Sequence, residues 1–322
     1  MARLARNYRT TYFLRLFIIT ASLFILSLFI TTGSFSCSSF ENREVGHRIP
    51  RTSSDPEHEV LANAGNSIEK HKETDGAMKI AIITFTTREN SYMHLSSKNK
   101  QEYARRHNYT LLIDFSWLSS SEGGDPRGVM WHKFVMIERI INEGKHDWIW
   151  WLDFDTLFTN MKLPVETVIK EFTGDQEGVD FLLTADCFPL NAGSMLVRSH
   201  PRAIEFLNHV RRYHDHQREA FPDRLISEQD CIREILLPDT APAEAEPLPD
   251  SKRFATIAKW IPQKKINAFP EDIPCWDKEQ KGWESGDLVV HFAGAFAHVK
   301  EEAAKGDEVG WLMRKYKDKT IW

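Results

Sequence analysis

The sequence is poor in the features that mark several common protein classes. It has four cysteines in 322 residues, Cys37, Cys187, Cys231 and Cys275, and no C-x-x-C pair, so no zinc module is suggested. One disulfide among the last three suits an oxidising compartment, and the sequence does not say which pair forms it. No G-x-G-x-x-G and no Walker loop occurs, so dinucleotide-binding and P-loop kinase readings lack their phosphate cradle. A net charge of -5 supplies no electrostatic footprint for nucleic acid, and no nucleic-acid partner is expected. A metal-dependent hydrolase would want further His and Asp ligands at motif spacing, and these are missing too. With 42% hydrophobic and 27% charged residues the chain is not globally disordered. Its length suits one large α/β domain or two small ones.

One long apolar run stands against this background. Arg3, Arg6, Arg9 and Arg15 precede it, and no residue from Leu16 to Phe40 is charged. The run is long enough to cross a bilayer, with its basic flank on the cytoplasmic side. Small residues after it (Thr32, Gly33, Ser34) keep a cleaved signal peptide as the competing reading, but the run exceeds an ordinary h-region. Residues 1–15 are therefore read as a cytoplasmic tail, 16–35 as a transmembrane signal-anchor, 36–78 as a polar luminal stem and 79–322 as the folded domain.

Within that domain apolar strands alternate with helical patterns. Lys79–Phe85 is an apolar strand, Met93–His107 an amphipathic helix, and Thr110–Phe115 a second strand. His132–Asn142 is a helix with Phe134, Ile137, Ile140 and Ile141 on one face, and Trp148–Leu152 is a third strand. This β-α-β-α-β order predicts a parallel, Rossmann-like half. A short helix with Pro at its start (Leu163–Phe172) follows, then strands over Phe181–Ala185 and Ser194–Arg198 and a helix over Pro201–Tyr213. Arg211–Arg218 reads as a solvated helix end. Ser227 is a plausible N-cap for the next helix, residues 238–249 form a proline-rich loop, and Asp287–Gly294 is a late strand. Val299–Tyr316 is expected to be a charged C-terminal helix. Asn108-Tyr109-Thr110 is an N-glycosylation sequon, usable only if luminal and exposed.

The informative stretch is Trp148-Ile149-Trp150-Trp151-Leu152-Asp153-Phe154-Asp155-Thr156. A buried strand ends in two carboxylates one residue apart. Strand alternation would turn both to one side, at the carboxyl edge where open α/β sheets hold ligands. Two such acids repel unless a proton or cation intervenes, and a hard divalent metal answers that need.

The ordered set Trp131-His132-Lys133, Trp-Leu-Asp-Phe-Asp (151–155), Asn191-Ala192-Gly193, Ser227-Glu228-Gln229-Asp230 and Val290-His291-Phe292-Ala293-Gly294 resembles glycosyltransferase family 34. That family includes fungal galactosyl- and mannosyltransferases and plant xyloglucan xylosyltransferases. The resemblance runs from about Lys79 to about Gly294. It implies a GT-A type α/β fold, a Rossmann-like nucleotide-sugar-binding domain with a mixed central sheet flanked by helices. It also implies a Golgi type II enzyme that is manganese-dependent and retaining.

By the same resemblance Asp153, Asp155 and His291 are metal ligands. Asp153, Thr84, Lys133, Asn191 and Gly193 are expected at the nucleotide-sugar, with Lys133 or Arg88 neutralising phosphate. Gln229 would stabilise an oxocarbenium-like state on the β-face of the donor sugar, with Glu228 or Asp230 as catalytic acids or as a covalent nucleophile. The expected transfer is of a hexose, galactose from UDP-galactose, to a glycan acceptor that includes mannose. Alternatives are mannose from GDP-mannose, or a silent subunit of a glycosyltransferase complex. The chain departs from its relatives after Gly294, where Ala295 and Phe296 stand in place of a cysteine and a basic residue.

Overall fold

In the computed structural model, residues 77–116, 125–174 and 178–322 are described. The expected tail, signal-anchor and nearly all of the stem lie outside them. Among the described residues no helix is long and apolar enough to cross a membrane.

A six-stranded sheet runs through the domain in the order β2-β1-β3-β6-β5-β7. Its strands are β1 (Ile80–Phe85), β2 (Thr110–Asp114), β3 (Trp148–Leu152), β5 (Phe181–Thr184), β6 (Asn191–Arg198) and β7 (Ala258–Trp260). β1 pairs in parallel with β2 and β3, as the β-α-β-α-β order requires. β6 then runs antiparallel to both β3 and β5, which makes the sheet mixed. The remaining strands, β4 (Thr156–Phe158) and β8 (Val289–His291), form a separate antiparallel pair.

Alternation sorts the sheet residues onto two helical layers. Ile83, Ile149, Trp151, Leu183 and Met195 pack with α2 (His132–Glu143), α4 (Pro201–Ala220) and α5 (Glu228–Leu236). Ile82, Trp148, Trp150, Leu182 and Leu196 face the other way, toward α1 (Met93–His107) and α3 (Val165–Thr173). All five residues of β3 are buried, so most of the Trp run is core. α1 and α2 stop at residues in the left-handed conformation, Asn108 (φ 56) and Gly144 (φ 63), which free the chain to turn back into a strand. Asn108 is exposed there, as the sequon requires.

The structure departs from the expected elements in three places. α4 continues to Ala220, and its Arg211 is not a solvated end: the guanidinium pairs with Asp125 (2.8 Å) and Glu138 between elements. Of the expected C-terminal helix Val299–Tyr316 only α7 (Glu308–Lys317) is α-helical; a single 3-10 turn covers Glu302–Ala304, and a short α6 (Ala295–His298) lies ahead of the expected range. β4 and β7, three residues each, are too short to show a period. Cys187 and Cys275 form the disulfide, and Cys231 is a buried free thiol.

Candidate active site

Asp153 lies just past the end of β3, and the chain then turns sharply into β4. The two carboxylates therefore converge through a turn and not through strand alternation, which corrects the expected geometry. The turn is tied down at each residue. The Asp153 N–H donates to Gly193 O on β6 (2.7 Å), and Thr156 Oγ1 donates back to Asp153 O (2.8 Å). Phe292 N–H donates to Asp155 O (3.0 Å). The Trp151 indole N–H donates to Asp153 Oδ1 (3.0 Å), so this tryptophan also orients a carboxylate.

β8 delivers His291 opposite Thr156. The ligand atoms of Asp153, Asp155 and His291 lie within 4.8 Å of one another. His291 Nδ1 is 2.7 Å from Asn267 Oδ1. Both amide hydrogens of Asn267 are engaged, by Thr184 Oγ1 (2.8 Å) and Asn191 Oδ1 (3.0 Å), so its oxygen faces the ring and Nδ1 must carry the proton. That leaves Nε2 as a bare acceptor. It is buried without a hydrogen-bond partner, 3.3 Å from Asp155 Oδ1. A lone pair facing a carboxylate oxygen demands a proton or cation between them. Two carboxylates and one imidazole fit a divalent ion of the manganese class. Burial alone would depress the His291 pKa, but Asp155 beside it wins and raises it. Burial pushes Asp155 up, and His291 holds it below the usual carboxylate range. Burial raises Asp153, against the pull of Lys133.

Gly193 closes one wall. A Cβ there would strike His291 Cε1 and lie 2.9 Å from Asp153 Oδ2, so only glycine leaves the room between them. Asn191 accepts from Gly193 N–H (3.0 Å) and donates to Asp186 Oδ2 (2.9 Å). On the other side Lys133 Nζ meets Glu228 Oε1 (2.9 Å) and Ala192 O (3.2 Å) and lies 5.3 Å from the centre of the Trp151 ring. Burial opposes its charge, but Glu228 and then Asp153 win and raise its pKa. Glu228 Oε2 is buried and unpartnered. Gln229 Oε1 accepts from Ala192 N–H (2.7 Å), which fixes which end of its amide faces the backbone and leaves the NH2 group as its donor.

The sequence-predicted residues therefore divide. Asp153, Asp155, His291, Asn191, Gly193, Lys133, Glu228 and Gln229 form one connected network. Asp230 does not join it. Its carboxylate completes a capping box with Ser227 at the start of α5 (2.7 Å to Oγ), a structural task. Thr84 is fully buried in β1 and makes no hydrogen bond to this network, its hydroxyl being without a partner among the described residues. Lys133 was expected to neutralise phosphate, but its ammonium is enclosed with Glu228. Arg88 is exposed in the loop after β1. Asn267 was missed, because a lone Asn in Lys-Ile-Asn-Ala carries no motif. The Trp151 indole was legible in principle, two residues before Asp153.

Residues 77–173 and 170–301 match the galactosyl transferase GMA12/MNN10 family. An uncharacterised alpha-1,2-galactosyltransferase of Schizosaccharomyces pombe is 27% identical over 240 residues, 64% of this chain and 57% of the relative. The probable alpha-1,2-galactosyltransferase gmh1 of the same yeast is 27% identical over 261 residues, 70% of this chain and 67% of the relative. The chain thus spans less than two thirds of the first relative's length. Among solved structures, a glycosyltransferase involved in glycosylation of the major capsid of PBCV-1 superposes with a TM-score of 0.52. It has 16% identity and covers 74% of this chain and 99% of that one, a likeness of fold.

Proposed function

The chain belongs to the galactosyl transferase GMA12/MNN10 family, and from that premise we propose that it transfers a hexose from a nucleotide-sugar to a glycan. The galactosyltransferase relatives favour galactose from UDP-galactose as the donor group. The observation that carries the reading is the convergence of Asp153, Asp155 and the unpartnered His291 Nε2 on one point. A manganese ion held there would neutralise the charge that develops on the diphosphate as the glycosidic bond breaks.

The chain's own groups do the rest. Asn267 and Trp151 hold the His291 ring and the Asp153 carboxylate in ligating orientation. Gln229, its oxygen pinned by Ala192, presents an amide toward the transferred sugar without acting as a strong nucleophile. Asp230 is occupied by its cap and Glu228 by Lys133. This favours front-face transfer with retained anomeric configuration over a covalent glycosyl-enzyme. The free Glu228 Oε2 suits a sugar hydroxyl as donor.

The arginine flank and apolar run at the N-terminus support a Golgi type II membrane protein with a luminal domain, and the Cys187–Cys275 disulfide agrees with an oxidising lumen. The full-length protein, purified in detergent, is offered UDP- and GDP-sugars in manganese-free buffer or with added Mn2+, together with mannose-containing acceptors. We expect transfer from UDP-galactose that EDTA abolishes and Mn2+ restores, and an α-product by NMR. Folded protein that neither transfers nor hydrolyses any donor would end this reading. Folded protein that also binds neither Mn2+ nor UDP tightly would instead support a silent subunit, the reading that Ala295 and the exposed Phe296 after Gly294 favour.

A further inference from the structure

Lys100 on α1 has no part in the chemistry above, yet it is fully buried beneath the carboxylate turn. Its ammonium donates to Thr156 O (2.8 Å), Ser96 Oγ (2.8 Å) and Phe154 O (3.3 Å), so all three protons are used on the turn and its support. None of these partners carries a charge. Lys133, the other buried lysine of the site, has Glu228 as its ion-pair partner. Burial pushes the Lys100 ammonium down to about 7, and the charges that hold it up against that loss are those of Asp155 and then Asp153, while its three acceptors each call for a proton on Nζ. A buried ammonium is costly unless opposite charge compensates it, and here that charge sits on the proposed cation ligands.

We propose that Lys100 is a built-in countercharge: from the back of the turn it holds the Asp153 and Asp155 carboxylates together in the cation-free protein, and it keeps a bound divalent cation exchangeable. This rests on reading the two carboxylates and His291 as a cation site. Two effects of removing the lysine oppose each other. Loss of its hydrogen bonds loosens the turn, which weakens cation binding. Loss of its charge deepens the negative potential at the carboxylates, which strengthens cation binding. The turn keeps Asp153 N–Gly193 O, Thr156 Oγ1–Asp153 O, Phe292 N–Asp155 O and the Ser96 hydroxyl on Phe154 O (2.6 Å) without Lys100. The turn's other bonds outlast the lysine, whereas its charge is backed, among the described residues, only by Lys133, which Glu228 already pairs, and by His291, itself a proposed ligand, so the electrostatic effect wins.

The test is Mn2+ binding to the full-length protein, read from the electron paramagnetic resonance of free Mn2+, with melting temperature in EDTA measured alongside. Lys100→Met is expected to melt lower in EDTA yet bind Mn2+ at least fivefold more tightly, a combination that a purely structural role would not produce. Lys100→Arg, which restores the charge, is expected to return the affinity toward wild type. Ser96→Ala, which keeps the charge and removes the two bonds of its hydroxyl, to Phe154 O and from Lys100 Nζ, should melt lower with affinity within about twofold of wild type. If Lys100→Met does not fold, Lys100→Gln takes its place with the same expectation. Equal or weaker Mn2+ binding by the neutral variant, while wild type binds, overturns the countercharge alone. A wild type that binds no divalent cation overturns the cation site and the countercharge with it.

Discussion

At the residue scale the site depends on groups that never touch a substrate. Asn267 is buried, and its oxygen alone decides which nitrogen of His291 bears the proton. Removing such a partner of a metal-ligating imidazole typically costs 10–100-fold in metal affinity. Asn267→Ala should therefore raise the Mn2+ needed for half-maximal transfer by about that factor while maximal rate at excess Mn2+ recovers in part, seen in a metal titration of activity. Gly193 makes a steeper prediction. Its α-carbon is not strained, but an alanine methyl would enter the space between His291 and Asp153 Oδ2. Gly193→Ala should abolish Mn2+ binding with the melting temperature little changed, because the collision falls on the site and not on the sheet. Asp153→Ala is the reference for complete loss, and residual transfer in Asp153→Ala/Asp155→Ala would defeat the ligand assignment.

At the element scale two helix ends do most of the positioning. α1 clasps the β3–β4 turn and β4 with Ser96, Asn99 and Lys100; Asn99 both donates to Phe158 O (2.9 Å) and accepts from Phe158 N–H (2.7 Å), as a neighbouring strand would. α5 begins with the Ser227–Asp230 capping box, which sets Glu228 and Gln229 at its first turn. Replacing an N-cap serine by alanine costs about 1 kcal/mol. Ser227→Ala should lower unfolding free energy by about that much in urea and reduce transfer more than stability explains, since the same turn aims Gln229.

These elements also show what could be read from the chain. β1, β3, α2 and the N-cap of α5 follow from apolar period and cap chemistry, and the acids at the end of β3 followed with them. The turn that makes those acids converge does not, because strand alternation and a turn write the same Asp-x-Asp. β4 and β7 are too short for any period, and Asn267 acts through an amide whose partners are 24, 76 and 83 residues away. Arg211 looked like solvated charge because its acids, Asp125 and Glu138, lie on other segments.

At the scale of the whole molecule, the mixed sheet carries Gly193 on β6 and, just past the end of the adjacent β3, Asp153, but His291 and Asn267 come from a late part of the chain with its own small core. Something must hold that late part to the sheet. β8 pairs with β4, and the Cys187–Cys275 disulfide closes a loop of sequence separation 88 between the segment before β6 and the segment after Asn267. In the chain-entropy account a loop of this length restrains the unfolded state by about 4–5 kcal/mol, and loss of native disulfides is found to cost about 2–5 kcal/mol. The same bond steadies Asp186, the neighbour of Cys187, whose carboxylate holds Asn191 and through it Gly193 N–H and Asn267. Cys187→Ser/Cys275→Ser should therefore lose both stability, by about 2–5 kcal/mol in urea, and Mn2+ affinity at temperatures where it is still folded. Cys231, whose thiol is pushed well up by burial, should stay unreactive to alkylation in both native proteins and so report that the core around α5 is intact. A double variant as stable and as tight for Mn2+ as wild type would mean that β4–β8 pairing alone docks the late segment.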